Sequence, residues 1–133
     1  QAVLNIVRNA AEALADKIER GTAQVILRTR VERQVTLGKH RYRLALELHI
    51  EDNGPGVPES LRERIFFPLV SGREGGSGLG LTLARTFIQQ HHGTIEFESE
   101  PGRTVFKIVI PIGCTAPAPS RRTRSSSAAT GRR

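Results

Sequence analysis

The sequence contains no methionine, no tryptophan and only one cysteine, Cys114, in 133 residues. A single cysteine cannot build a disulfide framework, which favours a reducing, cytoplasmic location. No apolar run approaches the length of a membrane span, and the first residues do not have the pattern of a signal peptide. Because a natural start would supply an initiator methionine, and Gln1 already lies in a helical pattern, we expect a fragment that lacks an N-terminal partner domain.

The formal charge of +7 is a common property of proteins that bind polyanions, but its distribution argues against a nucleic-acid function. Much of it lies near the C-terminus, with no aromatic residues interspersed, in Arg121, Arg122, Arg124, Arg132 and Arg133. The Ala/Pro and Ser/Arg composition of residues 114–133 cannot bury enough apolar surface to fold. We therefore predict a folded domain over residues 1–113, a disordered basic tail over residues 114–133, and no specific nucleic-acid partner.

The stretch Asp52-Asn53-Gly54-Pro55-Gly56 gives the strongest indication of a binding site. It follows an alternating pattern that predicts a half-buried strand, with Leu44, Leu46, Leu48 and Ile50 on one face. A carboxylate at the end of a strand, beside bare glycine backbone, can accept a hydrogen bond from an exocyclic amine such as that of adenine. The same residues are also ordinary turn formers, so this stretch alone leaves both interpretations open.

Residues 1 to about 18 have the period of an amphipathic helix. We expect its apolar face to carry Val3, Leu4, Val7, Ala10, Ala11 and Leu14. Asn5, Asn9 and Glu12 fall on the other face at a spacing of i, i+4, i+7. Asparagine is a poor helix former, so this polar stripe is either a solvated surface or a face that meets a ligand. In the second case its amide oxygens suit Mg²⁺.

The stretch from Gly75 to Gly80 contains four glycines in six residues. Such a segment is typical of a mobile lid whose backbone amides close around phosphates, and a flexible linker is the alternative. It leads into a predicted helix that ends near His91, with Gly93 as the C′ residue. Helix N-termini attract anions. The pattern is neither a Walker A loop nor a dinucleotide-binding fingerprint, because it lacks Gly-Lys-Ser/Thr and no strand precedes it.

The remaining patterns predict strands and one short helix. A strand from Ala23 to about Val31 and the strand that ends at Asp52 should form a hairpin through the turn at Gly38-Lys39. A short helix opens at Pro58. Two further strands follow over residues 94–99 and 104–111.

In this order, the motifs resemble those of the ATP-binding domain of sensor histidine kinases, in a superfamily that also contains gyrase, a heat-shock chaperone and MutL. The similar segments are an N box at Asn5-Ile6-Val7-Arg8-Asn9-Ala10, a first glycine box at residues 52–56, an F box at Ile65-Phe66-Phe67-Pro68, a second glycine box at Gly76-Ser77-Gly78-Leu79-Gly80-Leu81, and a closing segment over residues 93–106. Residues 28–30, 34–37, 41–45 and 68–76 look more specifically like nitrogen-regulation sensor kinases of the NtrB type.

The resemblance implies a two-layer α/β sandwich, with a mixed sheet on one side and the helices on the other. ATP would lie between the turn at Asp52 and the lid. Asp52 would accept a hydrogen bond from the adenine amino group. Thr104 would also contribute to binding the base, through its hydroxyl or through a water. Asn9 would bind Mg²⁺, with support from Asn5.

The same resemblance implies a phosphate site in the second glycine box. Its nucleotide-binding residues would be Gly76, Ser77, Gly78, Leu79 and Gly80, while Gly54 and Gly56 would leave room for the base. Arg73 would neutralise charge on the γ-phosphate. Many sensor kinases carry Lys or Arg three residues after the metal-binding asparagine, and Glu12 at that position puts a phosphate contact from it in doubt.

The implied function is the catalytic half of a two-component sensor histidine kinase in nitrogen regulation. The γ-phosphate of Mg·ATP would pass to a histidine on a missing dimerisation domain, and then to a response regulator of the NtrC type. Relatives that hydrolyse ATP carry glutamate where this chain has Asn5, and an amide cannot act as a base. The implied partners also include the PII signal protein and a second copy in a homodimer, with no membrane contact. A gyrase- or MutL-like ATPase and a non-catalytic nucleotide-binding module are the alternatives.

Overall fold

The computed structural model describes residues 1–68 and 80–113. The helices are α1 (Ala2–Ala13), α2 (Ala15–Glu19), a 3-10 helix (Glu59–Arg64) and α3 (Gly80–Gln90). The strands are β1 (Val25–Leu37), β2 (His40–Asp52), β3 (Thr94–Glu100) and β4 (Arg103–Ile112). Most of the glycine-rich segment and the whole predicted tail lie outside the described residues. Within those residues, no helix is long and apolar enough to cross a membrane.

The four strands form one sheet in the order β1-β2-β4-β3. Helices α1 and α3 pack on one face of it, as the two-layer α/β prediction requires, and the hairpin through Gly38-Lys39 is confirmed. The expected mixed sheet differs in one respect, since every described strand pair is antiparallel. The tight connections between β1 and β2, and between β3 and β4, permit only antiparallel pairing.

The hydrophobic core lies between the helices and the helix-facing side of the sheet. Its buried members are Ile6, Ile50, Ile65, Ala84, Ile88, Phe106 and Ile108. Three phenylalanines meet at one end of it, with ring centroids 6.0 Å apart for Phe66 and Phe97 and 5.7 Å apart for Phe97 and Phe106. This aromatic cluster joins the segment after the 3-10 helix to β3 and β4.

The first helix ends earlier than predicted and turns a different face to the core. α1 stops at Ala13, and Leu14 separates it from α2. Val3 and Leu4 of the predicted apolar face are 38% and 52% exposed, whereas Asn5 is only 8% exposed. The predicted face was therefore wrong in part, because a broad apolar stripe does not determine which of its edges meets the core. As a result, an asparagine lies in the interior.

The C′ residue of α3 is His92 and not the predicted Gly93. His92, with φ of 61°, is the left-handed residue, and Gly93 is not. The Gly93 N–H donates to the Ile88 carbonyl at 2.9 Å, and the His92 N–H donates to the Gln89 carbonyl at 3.0 Å, which is a Schellman motif. Gly93 is required for another reason, because a Cβ there would lie 2.6 Å from the Val109 carbonyl oxygen. The missing side chain lets the helix end pack against β4.

The opposite face of the sheet carries ion pairs around the buried side chain of Glu47. Its carboxylate lies 2.5 Å from the His49 ring nitrogen, 3.4 Å from the Arg30 guanidinium and 4.0 Å from the Lys107 ammonium. Burial raises the pKa of Glu47, but the hydrogen bond from His49 and the charges of Lys107 and Arg30 outweigh burial. The pKa of this carboxyl therefore lies below its usual range.

This lowered pKa makes the stability of the domain depend on pH. A carboxyl with a lower pKa in the folded state stabilises the fold above its unfolded pKa of about 4.3, and this contribution is lost as the pH falls through the folded value. We expect Glu47→Gln to flatten the decline of the unfolding free energy below about pH 4.3. Urea denaturation between pH 6 and pH 3 measures this decline. The exposed Glu63→Gln should leave it unchanged, and parallel profiles for wild type and Glu47→Gln would contradict the account.

Candidate nucleotide-binding site

A row of polar side chains crosses one end of the sheet on its helix-facing side. Asp52 on β2 is the register partner of Thr104 on β4, and Thr104 is the partner of Ser99 on β3. Alternation along β2 and β4 puts Asp52 and Thr104 on the same face as the core residues Ile50 and Phe106. Asp52 is 5% exposed and Thr104 is 4% exposed. A carboxylate and a hydroxyl are thus held close together between the sheet and the helices.

The turn after β2 orients the Asp52 carboxylate. The Gly54 N–H donates to Asp52 Oδ1 at 2.9 Å, and a Cβ on Gly54 would lie 2.9 Å from the same oxygen. Asn53 ties the turn to the loop before β1, because its Nδ2 donates to the Thr22 carbonyl and its Oδ1 accepts from the Gln24 N–H, both at 2.9 Å. These bonds limit the directions in which the carboxylate can point.

The Gly-Pro-Gly turn also docks on the β3–β4 hairpin. Gly56 has φ of +87°, and a Cβ there would lie 2.8 Å from the Glu100 carbonyl oxygen. The Gly102 N–H donates to the Gly54 carbonyl at 2.9 Å, and the Val57 N–H donates to Ser99 Oγ at 2.7 Å. Of the two turn glycines only Gly56 has a positive φ, and this conformation brings the turn against the hairpin.

Ser99 is a residue of this site that the sequence analysis missed. Its Oγ lies 2.8 Å from Thr104 Oγ1, in addition to its bond from Val57. The tight connection through Pro101-Gly102 pairs residues 99 and 104 across the hairpin. That connection is visible in the sequence, so the pairing could have been found by counting outward from the turn.

The two asparagines of α1 lie one helical turn apart. Asn5 is buried, and its Nδ2 has no hydrogen-bond partner among the residues that the structure describes. An unsatisfied buried donor costs about 1–3 kcal/mol, which suits a site that a ligand oxygen completes. Asn9 is half-buried. The C-terminal end of α1 adjoins the turn after β2, since Ala13 Cβ lies 3.5 Å from the position of a Cβ at Gly54.

The side chains in this part of the molecule offer few oxygen atoms that could coordinate a metal ion. They suit a hard cation only if a bound phosphate contributes further oxygens. In residues 1–68 and 80–113, no group of three or more His, Cys, Asp or Glu could hold a metal ion. Each of Asn5 and Asn9 offers one amide oxygen, and Mg²⁺ often takes only one or two protein ligands beside phosphate oxygens and waters. The two asparagines therefore fit Mg²⁺ that arrives with a phosphate.

The start of α3 is fastened to the segment after the 3-10 helix. Gly80, the last residue of the predicted phosphate site, is the first residue of α3. Thr82 Oγ1 donates to the Phe66 carbonyl at 2.9 Å, and the Arg85 guanidinium lies 5.5 Å from the centroid of the Phe66 ring. Two contacts thus join the described residues on either side of residues 69–79. The other predicted residues of this site, Arg73, Gly76, Ser77, Gly78 and Leu79, lie outside the described residues.

Thr82→Val tests this fastening. The change keeps the shape of the side chain and leaves the Phe66 carbonyl without its donor, so we expect a loss of about 1 kcal/mol in unfolding free energy. Thr86 is the matched control, since it is exposed and, among the residues that the structure describes, its hydroxyl bonds only to the Thr82 carbonyl of the same helix. Thr86→Val should change the unfolding free energy by less than half of that amount. Equal effects of the two substitutions in urea denaturation would show that the bond from Thr82 to Phe66 does not stabilise the start of α3.

The sequence of the chain is similar to those of known sensor histidine kinases. The family described as "Histidine kinase-, DNA gyrase B-, and HSP90-like ATPase" matches residues 1–113. The chain is 54% identical over 112 residues to the sensory histidine kinase/phosphatase NtrB of Escherichia coli O157:H7, and 41% identical over 115 residues to the NtrB of Rhodobacter capsulatus. Each match covers 84% of this chain and 31% of the relative. The chain therefore spans about a third of the length of these curated relatives.

Solved structures agree with the sequence relatives. The mycobacterial sensor histidine kinase MprB superposes with a TM-score of 0.62 at 28% identity, over 83% of this chain and 69% of that one. The catalytic domain of the histidine kinase ThkA gives a TM-score of 0.61 at 28% identity, over 84% and 64%. The shared fold and the family match over residues 1–113 lead to one conclusion: the chain belongs to the family of histidine kinase-, DNA gyrase B- and HSP90-like ATPases.

Proposed function

We propose that this chain is the ATP-binding catalytic domain of a sensor histidine kinase that acts in nitrogen regulation. The single observation that carries the proposal is the buried Asp52 carboxylate, oriented by Gly54 at the sheet end and paired in register with Thr104. An ionised carboxylate has several lone pairs, so besides the bond from the Gly54 N–H it can accept a hydrogen bond from a donor on a ligand. The exocyclic amine of adenine supplies such a donor, and the Thr104 hydroxyl lies beside it.

The phosphates of the nucleotide would extend from this base site toward α1 and the start of α3. Asn9 would contribute an amide oxygen to Mg²⁺. Asn5 Nδ2–H, which has no partner among residues 1–68 and 80–113, would donate to a phosphate oxygen or orient a metal-bound water. The metal would supply charge neutralisation on the transferred phosphoryl group. Backbone amides at residues 76–80, with Arg73, would neutralise the remaining negative charge.

Asn5 also favours phosphoryl transfer over hydrolysis. A water molecule needs a base for activation, and the Asn5 amide cannot accept its proton at neutral pH. The γ-phosphate is therefore kept for a stronger nucleophile, which we propose to be a histidine on another domain of the whole protein. That protein would act as a cytoplasmic homodimer, pass the phosphoryl group to a response regulator of the NtrC type and respond to a PII signal protein. The relatives named as sensory histidine kinase/phosphatase NtrB support the histidine-kinase part of this proposal.

Phosphoryl transfer in trans tests the proposal. The chain would be mixed with γ-labelled Mg·ATP and a separately purified dimerisation and phosphoacceptor domain of an NtrB relative. We expect slow labelling of the acceptor histidine, because tethering and its effective concentration are lost, and no labelling of the chain itself. Asn9→Ala should abolish transfer. Robust autophosphorylation of the chain would contradict the proposal, and so would release of inorganic phosphate with no labelled acceptor.

A further inference from the structure

The Ser99 hydroxyl joins three parts of the site. Among the described residues its Oγ has two hydrogen-bond partners, the Val57 N–H at 2.7 Å and Thr104 Oγ1 at 2.8 Å. Val57 follows Gly56, whose turn is docked against β3 with no space for a Cβ. Ser99 therefore receives a hydrogen bond from a backbone donor that cannot easily move.

That fixed donor decides which way the two hydroxyls point. A hydroxyl has one hydrogen and two lone pairs, and Val57 N–H already occupies one lone pair of Ser99. If Ser99 donates its hydrogen to Thr104, both bonds of Ser99 are made, and the Thr104 hydrogen remains for an acceptor in the proposed base site. In the reverse arrangement the Ser99 hydrogen would have no acceptor in the described part of the chain, which is unfavourable for a half-buried group. The first arrangement is therefore preferred.

We infer that Ser99 is a positioning residue that makes Thr104 a hydrogen-bond donor toward the base, and that it thereby contributes to the selection of adenine. In the preferred arrangement the hydrogen bonds would run in one direction, from Val57 N–H to Ser99, across the 2.8 Å contact from Ser99 to Thr104, and from Thr104 toward the ligand. Asp52, the neighbour of Thr104, can only accept when ionised. The site thus offers an acceptor beside a donor.

The Asp52 acceptor and the Thr104 donor complement the hydrogen-bonding edge of adenine, but not that of hypoxanthine or guanine. Adenine presents its amine as a donor and N1 as an adjacent acceptor, whereas hypoxanthine and guanine present a carbonyl oxygen and an N1–H donor. A threonine hydroxyl alone would not discriminate, since it can rotate to donate or accept. The hydrogen bond from Ser99 prevents the Thr104 hydroxyl from rotating in this way. The inference rests on the proposed nucleotide site and adds to it a residue that determines base specificity.

The experiment compares ATP with 1-deaza-ATP, which keeps the amine and lacks the N1 acceptor. Competition binding would give the ratio of their dissociation constants for wild type, Ser99→Asn and Ser99→Asp. The two substitutions have the same shape. Asparagine can accept from Val57 and donate to Thr104, whereas aspartate can only accept from both. The added charge of aspartate acts equally on both triphosphates, so it cancels in the ratio.

We expect 1-deaza-ATP to bind about fivefold more weakly than ATP to wild type and to Ser99→Asn, the loss of one neutral hydrogen bond. For Ser99→Asp the two nucleotides should bind equally. Equal binding to wild type would overturn the inference, and so would an unchanged ratio in Ser99→Asp. Absence of ATP binding to wild type would instead contradict the proposed function itself.

A second variant, Ser99→Ala, tests the inference if Ser99→Asp does not fold. Ser99→Ala adds no charge and leaves the Thr104 hydroxyl free to turn either way. Its preference for ATP over inosine triphosphate should be about threefold lower than that of wild type, because the hydroxyl can then accept from the N1–H of hypoxanthine. Ser99→Thr, which restores a hydroxyl, should restore the preference. An unchanged preference in Ser99→Ala would overturn the inference.

Discussion

Asp52→Asn is expected to weaken ATP binding by about a hundredfold, the effect of losing one hydrogen bond to a buried charged group. Asparagine preserves the shape of the side chain, but it removes the charge and replaces one oxygen with an NH₂ donor. The remaining oxygen must still satisfy the Gly54 N–H that now donates to Asp52. The NH₂ group would then face the adenine amine, and two donors repel each other.

Isothermal titration with a non-hydrolysable ATP analogue measures this effect. Asp16→Asn is the matched control, because it makes the same chemical change at an exposed position of α2. It should leave the affinity unchanged within experimental error. Thermal melting would establish that Asp52→Asn remains folded. If the folded variant bound ATP as tightly as wild type, Asp52 would not be the residue that recognises the base.

Gly56→Ala is expected to lower the unfolding free energy by about 2–5 kcal/mol. About 1–2 kcal/mol arises from a side chain at positive φ, and about 1–3 kcal/mol from the overlap of the new Cβ with the Glu100 carbonyl. Relief of that overlap would move the turn away from β3 and lengthen the bond from Val57 to Ser99. ATP binding should weaken together with stability.

Gly102→Ala separates these two contributions. Gly102 has nearly the same φ, +88° against +87°, but a Cβ there would have nothing within 4 Å. Urea denaturation of both variants should therefore show the strain of positive φ in each and the overlap only in Gly56→Ala. Equal destabilisation by the two substitutions would mean that the close approach to Glu100 is not important for stability.

The elements of the fold followed from local patterns, because alternation and turn residues determine strands and hairpins within a few positions. The hairpin at Gly38-Lys39 and the two strands after Gly93 are examples. The face of α1 that packs against the core could not be predicted from such local patterns. Ile6 and Asn5 are buried while Leu4 is exposed, and this choice depends on the position of α3 and the sheet, which no pattern within the helix contains.

The candidate site was predictable where its chemistry is local. Asp52 and the glycines after it form one short stretch, and the structure adds the hydrogen bond that orients the carboxylate. Ser99 was missed because its role depends on contacts across two turns, with Val57 on one side and Thr104 on the other. His92 was missed because glycine is the usual left-handed residue at a helix end, whereas here the glycine is needed for packing against β4.

The most direct test of the account is titration calorimetry of the whole chain with non-hydrolysable analogues of ATP and GTP, with and without Mg²⁺. We expect one site per chain, tighter binding in the presence of Mg²⁺, and a preference of at least about tenfold for adenine over guanine, since the hydrogen-bonding edge of guanine opposes both Asp52 and Thr104. Absence of binding would contradict the proposed nucleotide site, and equal affinity for the two bases would contradict the assignment of Asp52 to base recognition.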